Sequence, residues 1–329
     1  MHTLWIVCPV YFDAESFQIL RERIRGEVAR LTFDTPRTLR FVAIDDTGGQ
    51  DPELAAVRAL PDVDVIEVPF NLGHQRAIVF GLRKLAGRID DDDWVVTLDS
   101  DGEDQPSDLG RLLEPLASSP HGANRIVLAR RTERRESITF RAMYLVFTLM
   151  FRLLTGTVIR TGNYAAFRGA LTKQVLFHPF FDLSYSSALL SLDLPATFVP
   201  CARGRRFAGQ SRMGFTKLIM HGLRMLTPFT DRIATRALIC FSGVLAAGIV
   251  GAAIVVFVRL FTALAIPGWA SYILLGMFMI SFAALGNFVI LFVLFAQSGG
   301  SALRGLYADP VIGRTDARES PTGAGRSRP

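Results

Sequence analysis

The chain has 329 residues, of which 50% are hydrophobic and 20% charged; its formal charge is +6 and its mean hydropathy +0.31. That length suggests about two domains. The composition excludes a disordered or collagen-like chain and leaves either a very apolar globule or a globular unit joined to a membrane part.

Strand and helix signals alternate over the first 130 residues. Leu4–Val10 is a compact apolar run and reads as a strand. Pro9 interrupts it and Asp13 and Glu15 follow at once, so it does not read as a signal peptide. Ala14–Leu31 carries Phe17, Leu20, Ile24, Val28 and Leu31 at helical spacing. Leu39–Ile44 is the next strand and runs into Asp45-Asp46-Thr47-Gly48-Gly49, a turn. Val63–Val68, Trp94–Leu98 and Asn124–Ala129 read as further strands, and Ala77–Ala86 as a helix. This alternation predicts right-handed βαβ units, a mostly parallel sheet and an α/β fold. Ligands in such folds bind beyond the carboxyl ends of the strands. Asp13 and Glu15, Asp45 and Asp46, Asn71, and Asp99 and Asp101 all follow strand ends.

Farther along, Ile138–Leu154 is apolar and aromatic, with Arg141 and Arg152 inside it. It reads as an amphipathic helix on a membrane surface or as a helix packed on the sheet. Phe215–Leu226 is a second surface-helix candidate. Ala237–Val258 contains no charged residue in 22, and 44 uncharged residues separate Arg259 from Arg304. Two transmembrane helices fit there, about 238–258 and 272–296, each longer than the ~18 apolar residues that mark a span. Arg232, Arg236 and Arg304 flank their outer ends. The positive-inside rule then places the N-terminal domain and the tail in the cytoplasm. The expected organisation is a catalytic domain over 1–210, a juxtamembrane segment over 211–236, two spans within 237–298, and a disordered tail over 299–329. Gly243, Gly248, Gly251, Gly276 and Gly286 allow close helix packing, within the chain or in a homo-oligomer.

The strongest chemical signal is Asp99-Ser100-Asp101-Gly102-Glu103-Asp104. Crowded carboxylates raise one another's pKa unless a cation neutralises them. Asp and Glu oxygens suit Mg²⁺ or Mn²⁺ bridging to phosphates, so Asp99, Asp101 and Glu103 are the metal candidates. A solvated acidic turn is the competing account. Asp45 and Asp46 suit a ribose hydroxyl or a base N–H, with a simple turn or helix cap as the competing account. Asn71-Leu72-Gly73-His74 opens a helix and can offer backbone N–H groups to an anion. Two arginine groups, Arg130, Arg131, Arg134 and Arg135, then Arg203, Arg205, Arg206 and Arg212, suit a diphosphate or a lipid phosphate. Cys8, Cys201 and Cys240 are unclustered and form neither a disulfide framework nor a zinc site. No G-x-G-x-x-G, P-loop or serine elbow is present, and no aromatic-basic platform points to nucleic acid.

These pieces together resemble the family 2 glycosyltransferases of GT-A fold, and among them the polyprenyl-phosphate sugar transferases with a two-helix anchor. Pro9, Tyr11, Asp13 and Glu15 stand where that family has V-x-P-x-Y-N-E-x-E. Asp45-Asp46 matches its D-D, Asn71-Leu72-Gly73 with Ala77 its N-x-G-x-x-x-A, Asp99-Ser100-Asp101 its D-x-D, and Gly209-Gln210-Ser211-Arg212-Met213 its G-x-S-K-Y. The resemblance implies inverting transfer of a sugar from a UDP- or GDP-sugar to undecaprenyl or another polyprenyl phosphate. It implies that Pro9, Tyr11, Glu15, Asp45, Asp46, Asn71, Gly73 and Asp99 line the donor pocket. Asp99 and Asp101 would hold the metal, and Arg131 and Arg212 would serve catalysis. Arg134, Arg206, Ser211 and Arg212 would meet the acceptor phosphate. Three positions depart from the pattern: Glu103 for Gln, Arg212 for Lys, and Asn163 where many bacterial members have Asp. A same-fold transferase with another lipid or glycan acceptor, and a non-catalytic scaffold, are the alternatives.

Overall fold

The computed structural model describes residues 2–33, 35–119, 125–132, 138–159, 161–207, 215–262 and 268–308. The chain divides into two units, Met1–Phe229 and Thr230–Pro329. The first is built on a seven-stranded sheet. Its strands are β1 (His2–Val10), β2 (Arg37–Asp45), β3 (Val63–Glu67), β4 (Trp94–Thr97), β5 (Ile126–Arg131), β6 (Thr161–Arg168) and β7 (Ala196–Cys201). The spatial order is β3-β2-β1-β4-β6-β5-β7. β1 pairs in parallel with both β2 and β4, and β2 with β3. Among the described strands, only β6 runs antiparallel to its neighbours, β4 and β5.

The helices of this unit are α1 (Ala14–Val28), α2 (Leu54–Arg58), α3 (His74–Leu85), α4 (Leu109–Ala117), α5 (Ile138–Thr155), α6 (Gly169–Gln174), α7 (Tyr185–Ser191) and α8 (Phe215–Leu226). The sheet carries an apolar layer on each face. Phe17, Leu20 and Ile24 of α1 and Leu112 and Leu116 of α4 belong to one layer, with Ile6 and Val96. Ile78, Leu82 and Leu85 of α3 and Tyr185 of α7 belong to the other, with Val7 and Val95. The alternation of Ile6 and Val7 between layers is the two-residue period of a strand buried on both faces. Gly81 lets α3 lie close to β2, since a Cβ there would stand 2.4 Å from Ile44 Cδ1.

The expected strands are all present, shifted by a few residues at their ends. β6 and β7 were not anticipated. Their sequences, Thr-Gly-Asn-Tyr-Ala-Ala-Phe-Arg and Ala-Thr-Phe-Val-Pro-Cys, are interrupted by Gly162, Asn163 and Pro200. The helix expected over Ala77–Ala86 starts three residues earlier, because Gly73 at φ 80° turns the chain into it.

Helix α5 packs by one side on a neighbouring helix and leaves the other side exposed. Its inner side packs on the α8 region: the Phe151 and Phe229 rings meet edge-on at 5.4 Å, and Gly222 of α8 faces the Phe147 ring. Its outer side exposes Leu145, Val146, Leu149, Met150 and Leu153. Water disfavours such a row.

The second unit contains α9 (Thr230–Phe261) and α10 (Trp269–Ala308). The stretches Met220–Phe261 and Ala270–Leu291 are long and apolar enough to cross a membrane, and only 6% of each apolar window is buried. Neither is therefore the buried core helix of a soluble domain. Gly248 and Gly251 let α9 approach α10, since their Cβ positions fall 2.2 Å from Ser281 Oγ and 1.9 Å from Met277 Cε. Gly243, Gly276 and Gly286 face open space.

Two arginines of α1 pair with Asp62 in the loop before β3. Arg21 Nε donates to both Asp62 oxygens at 3.1 and 3.2 Å, and Arg25 Nη1 to Oδ2 at 3.0 Å. Burial alone would raise the Asp62 pKa, but the Arg21 hydrogen bonds and charge, with Arg25, lower it overall. A lowered folded-state pKa gives stability that is present above the unfolded value and lost as pH falls through the folded one. Asp62→Asn should therefore lower stability by about 1–2 kcal/mol at pH 7. Thermal unfolding should show that deficit closing as the pH is taken below the ordinary Asp range.

Candidate active site

The parallel strands end together, and their following loops carry the polar residues. The backbone of Phe12, at φ 49°, turns the chain from β1 into α1 and leaves Tyr11 and Phe12 exposed, their rings edge-on at 5.0 Å. Pro9 is buried at the end of β1, and its carbonyl accepts from Ser100 Oγ at 3.1 Å. Glu15 is exposed in the first turn of α1.

Asp45 and Asp46 are both buried at the end of β2 but differ in their partners. Asp46 Oδ1 accepts from the Leu72 N–H at 2.7 Å, and Asn71 Nδ2 donates to the Asp46 carbonyl at 3.2 Å. Asp46 thus fixes the Asn71-Leu72-Gly73 loop. Burial raises its pKa, against the Leu72 and Gly73 N–H groups that lower it. Asp45 Oδ1 accepts from the Thr47 N–H at 3.0 Å. Asp45 Oδ2 is buried without a hydrogen bond among the described residues, 4.0 Å from Arg58 Nη2.

The acidic turn after β4 is the centre of the site. Asp104 points inward, where its Oδ2 accepts from the Asp99 N–H at 3.3 Å and its Oδ1 lies 3.5 Å from Arg131 Nη2, at the end of β5. Asp101 Oδ1 accepts from the Glu103 N–H at 2.9 Å, and Asp101 Oδ2 meets Arg206 Nη2 at 2.9 Å. Glu103 is held by two guanidiniums, with Arg206 Nε at 3.1 Å and Arg203 Nη2 at 2.5 Å. Burial first, and the Asp99 charge second, push the Asp101 and Asp104 carboxyls up from the ordinary carboxylate range. Four carboxylates so close face three guanidiniums, so the turn favours a further cation.

Arg203 and Arg206 reach the turn on a strap that follows β7. The Gly204 N–H donates to the Glu103 carbonyl and the Phe207 N–H to the Asp101 carbonyl, each at 2.8 Å. Gln105 Nε2 donates to the Ala202 carbonyl at 3.1 Å. The two backbones meet at glycines: a Cβ on Gly204 would stand 2.4 Å from the Gly102 carbonyl oxygen.

Most of the expected residues therefore gather at one sheet edge. Glu103 differs from its expected place as a metal ligand, since both of its oxygens are engaged by arginine. Asp99 still fits a divalent cation, and Asp101 would fit one on giving up its contact with Arg206, because Mg²⁺ takes one or two carboxylates and fills its shell with phosphates and water. No group of three or more His, Cys, Asp or Glu suited to a metal occurs among the described residues. Arg134, Ser211 and Arg212 lie outside the described residues. Sequence reading passed over Arg203 as a partner of Glu103, the inward turn of Asp104, and Gln75, which bonds to Asn163. It gave no role to His74, whose ring lies 5.8 Å from that of His221 on α8.

Residues 5–176, just over half of the chain, match the family model for glycosyl transferase family 2. The chain belongs to that family. Its seven-stranded, mostly parallel sheet is the expected GT-A domain. This family 2 chain is 24% identical over 305 residues to an uncharacterized glycosyltransferase, YkcC, of Bacillus subtilis (strain 168), covering 86% of this chain and 87% of that protein. The undecaprenyl-phosphate 4-deoxy-4-formamido-L-arabinose transferase of Serratia proteamaculans (strain 568) is 24% identical over 334 residues, covering 96% of this chain and 90% of that one. The transferase of the same description from Pectobacterium atrosepticum is 26% identical over 334 residues, with the same two coverages, 96% and 90%. Among solved structures, mannosyl-3-phosphoglycerate synthase from Rubrobacter xylanophilus aligns with a TM-score of 0.48 at 15% identity, over 70% of this chain and 74% of that chain.

Gly102 is constrained both in backbone and in space. Its φ is +86°, and a Cβ there would stand 2.5 Å from Phe207 Cε1. Gly102→Ala should cost about 1–3 kcal/mol from the left-handed backbone and the displaced ring. Adding Phe207→Ala should recover the steric part, which thermal unfolding of the single and double variants would show. No recovery would assign the whole cost to the backbone.

Proposed function

We propose that this family 2 transferase moves a sugar from a nucleoside diphosphate sugar, with UDP or GDP as the nucleotide, to a membrane polyprenyl phosphate, with inversion at the anomeric carbon. The observation that carries the reading is the Asp99–Asp104 turn faced by Arg131, Arg203 and Arg206, in a chain that continues into two apolar helices. The names of the Serratia and Pectobacterium relatives support the acceptor class.

In this reading the nucleotide lies across the strand ends. Asp45 keeps a buried oxygen for a base N–H or a ribose hydroxyl, while Asp46 holds the Asn71-Leu72-Gly73 loop in shape. Pro9, Tyr11 and Glu15 border the same edge. Asp99 and Asp101 would hold Mg²⁺ or Mn²⁺, which offsets the charge that develops on the leaving diphosphate. Arg131 and Arg206 stand beside those carboxylates and offer N–H donors to phosphate oxygens, while Arg134, Ser211 and Arg212 are the further candidates for the acceptor phosphate.

The acceptor is its own nucleophile. A phosphate monoester has a second pKa of ~6 and is largely dianionic at neutral pH. One of its oxygens bonds to the anomeric carbon as the bond to the diphosphate breaks, and the electron pair leaves with the nucleoside diphosphate. No strong general base is required. The apolar outer row of α5 and exposed Met220 and Leu223 of α8 suit the bilayer interface, where a polyprenyl phosphate keeps its headgroup. Arg232, Arg236 and Arg304 at the outer ends of the spans favour a cytoplasmic catalytic domain.

The test is direct. The full chain in detergent is incubated with undecaprenyl phosphate and a panel of UDP- and GDP-sugars, with Mg²⁺, Mn²⁺ or EDTA, and the lipid is followed by mass spectrometry. One donor should yield a lipid-linked sugar that EDTA abolishes. Asp101→Asn should lower the rate by about 100-fold or more, as loss of a charge stabiliser in a dry site does. Donor binding without lipid product would point to another acceptor. Full activity in Asp101→Asn would refute the metal role.

A further inference from the structure

Asp99 is held by a chain of amides drawn from three separate elements. Asn163, buried on β6, donates from Nδ2 to Asp99 Oδ1 at 2.8 Å. Asn163 Oδ1 accepts from Nε2 of Gln75, in the first turn of α3. Gln75 Oε1 accepts from the backbone N–H of Ser186 at 2.9 Å and from the Ser184 hydroxyl at 3.4 Å, at the start of α7. Thr97 Oγ1 adds a brace, donating to the Asn163 carbonyl at 2.6 Å and lying 2.8 Å from the Tyr185 hydroxyl.

The direction of this chain is forced. Primary amides can flip, and either orientation fills the same space. A backbone N–H can only donate. Ser186 therefore requires the Gln75 oxygen, which leaves Gln75 Nε2 for Asn163. Asn163 must then turn its oxygen to Gln75 and its Nδ2 to Asp99. A donor thus faces Asp99 Oδ1, and Asp99 Oδ2 makes no hydrogen bond among the described residues. Asp99 stands among Asp101 and Asp104, whose charges repel it, so an unheld side chain would swing away. An ionised aspartate at 163 could not supply this donor and would add a further negative charge.

We propose that Gln75 and Asn163 are positioning residues that hold Asp99 in one orientation, occupy its Oδ1 and leave its Oδ2 for a divalent cation, with the polarity of the chain set by the Ser186 N–H. The inference rests on the transferase reading above and assigns the part of Asn163 and of a side chain that lies outside the acidic turn.

Two variants of Gln75 separate polarity from packing. Gln75→Met keeps length and neutrality but loses both hydrogen bonds. Gln75→Glu keeps the shape and the Ser186 contact but cannot donate to Asn163. Both are measured in the full chain in detergent. Mn²⁺ affinity is read from the electron paramagnetic resonance of the ion with UDP or GDP present, and turnover is read with the active donor. Both variants should weaken Mn²⁺ binding about tenfold and lower kcat about 10- to 100-fold, the scale of a displaced catalytic group. Placed on Asp99→Asn, Gln75→Met should change Mn²⁺ affinity by less than about twofold, because Gln75 acts through Asp99.

Wild-type Mn²⁺ affinity and kcat in Gln75→Glu would overturn the proposal. So would an undiminished effect of Gln75→Met on the Asp99→Asn background. A wild-type chain that binds no Mn²⁺ with either nucleotide would refute the metal-dependent reading and this inference with it. A wild-type chain that binds Mn²⁺ beside unchanged variants would refute the inference alone.

Discussion

Repulsion among Asp99, Asp101, Glu103 and Asp104 is the constraint on which the rest of the first unit depends. Carboxylates this close, at the end of a strand buried on both faces, cannot all remain ionised without positive neighbours. The fold brings those neighbours from far along the chain. Arg131 comes from the end of β5, and Arg203 and Arg206 come from the strap after β7. The backbone follows the charge, since the strap is hydrogen-bonded to the turn through Gly204 and Phe207. Glycines at 102 and 204 allow the two backbones to meet, and Arg23 covers the Phe207 ring at 4.4 Å.

The antiparallel strand serves the same constraint. β6 lies between β4 and β5 and carries Gly162 and Asn163 into the site. A Cβ on Gly162 would stand 3.0 Å from Arg131 Nη2, so glycine there leaves room for the guanidinium. Asn163 supplies a neutral donor to Asp99 where another carboxylate would add to the repulsion. The turn is thus balanced by two means, guanidiniums on Asp101, Glu103 and Asp104, and an amide on Asp99.

Much of the fold was legible because strands buried on both faces read as apolar runs, and because most of β1, the second half of β2 and β4 are such runs with polar residues just past their ends. The acidic turn, Asp45-Asp46 and Asn71-Leu72-Gly73 were legible for the same reason. β6 and β7 were not, since Gly162, Asn163 and Pro200 interrupt their apolar pattern, and the antiparallel placement of β6 depends on partners distant in sequence. Helix α5 read two ways because its residues are apolar almost all round. Packing on α8 decided which side turned inward.

By itself, the sequence determined where charge could not go and where it had to be answered. Long uncharged runs required apolar surroundings, and acids crowded behind a strand required cations, because both follow from local composition and spacing. Which cations answer which acids was decided only by the tertiary structure. Glu103 reads as a metal ligand beside Asp101, yet Arg203 and Arg206 close on it from a hundred residues away. Gln75 reads as one polar residue of a helix start, yet Ser186 fixes its direction and makes it a donor to Asn163. Side-chain polarity of that kind depends on which donors surround a group in space, and sheet order sets those neighbours.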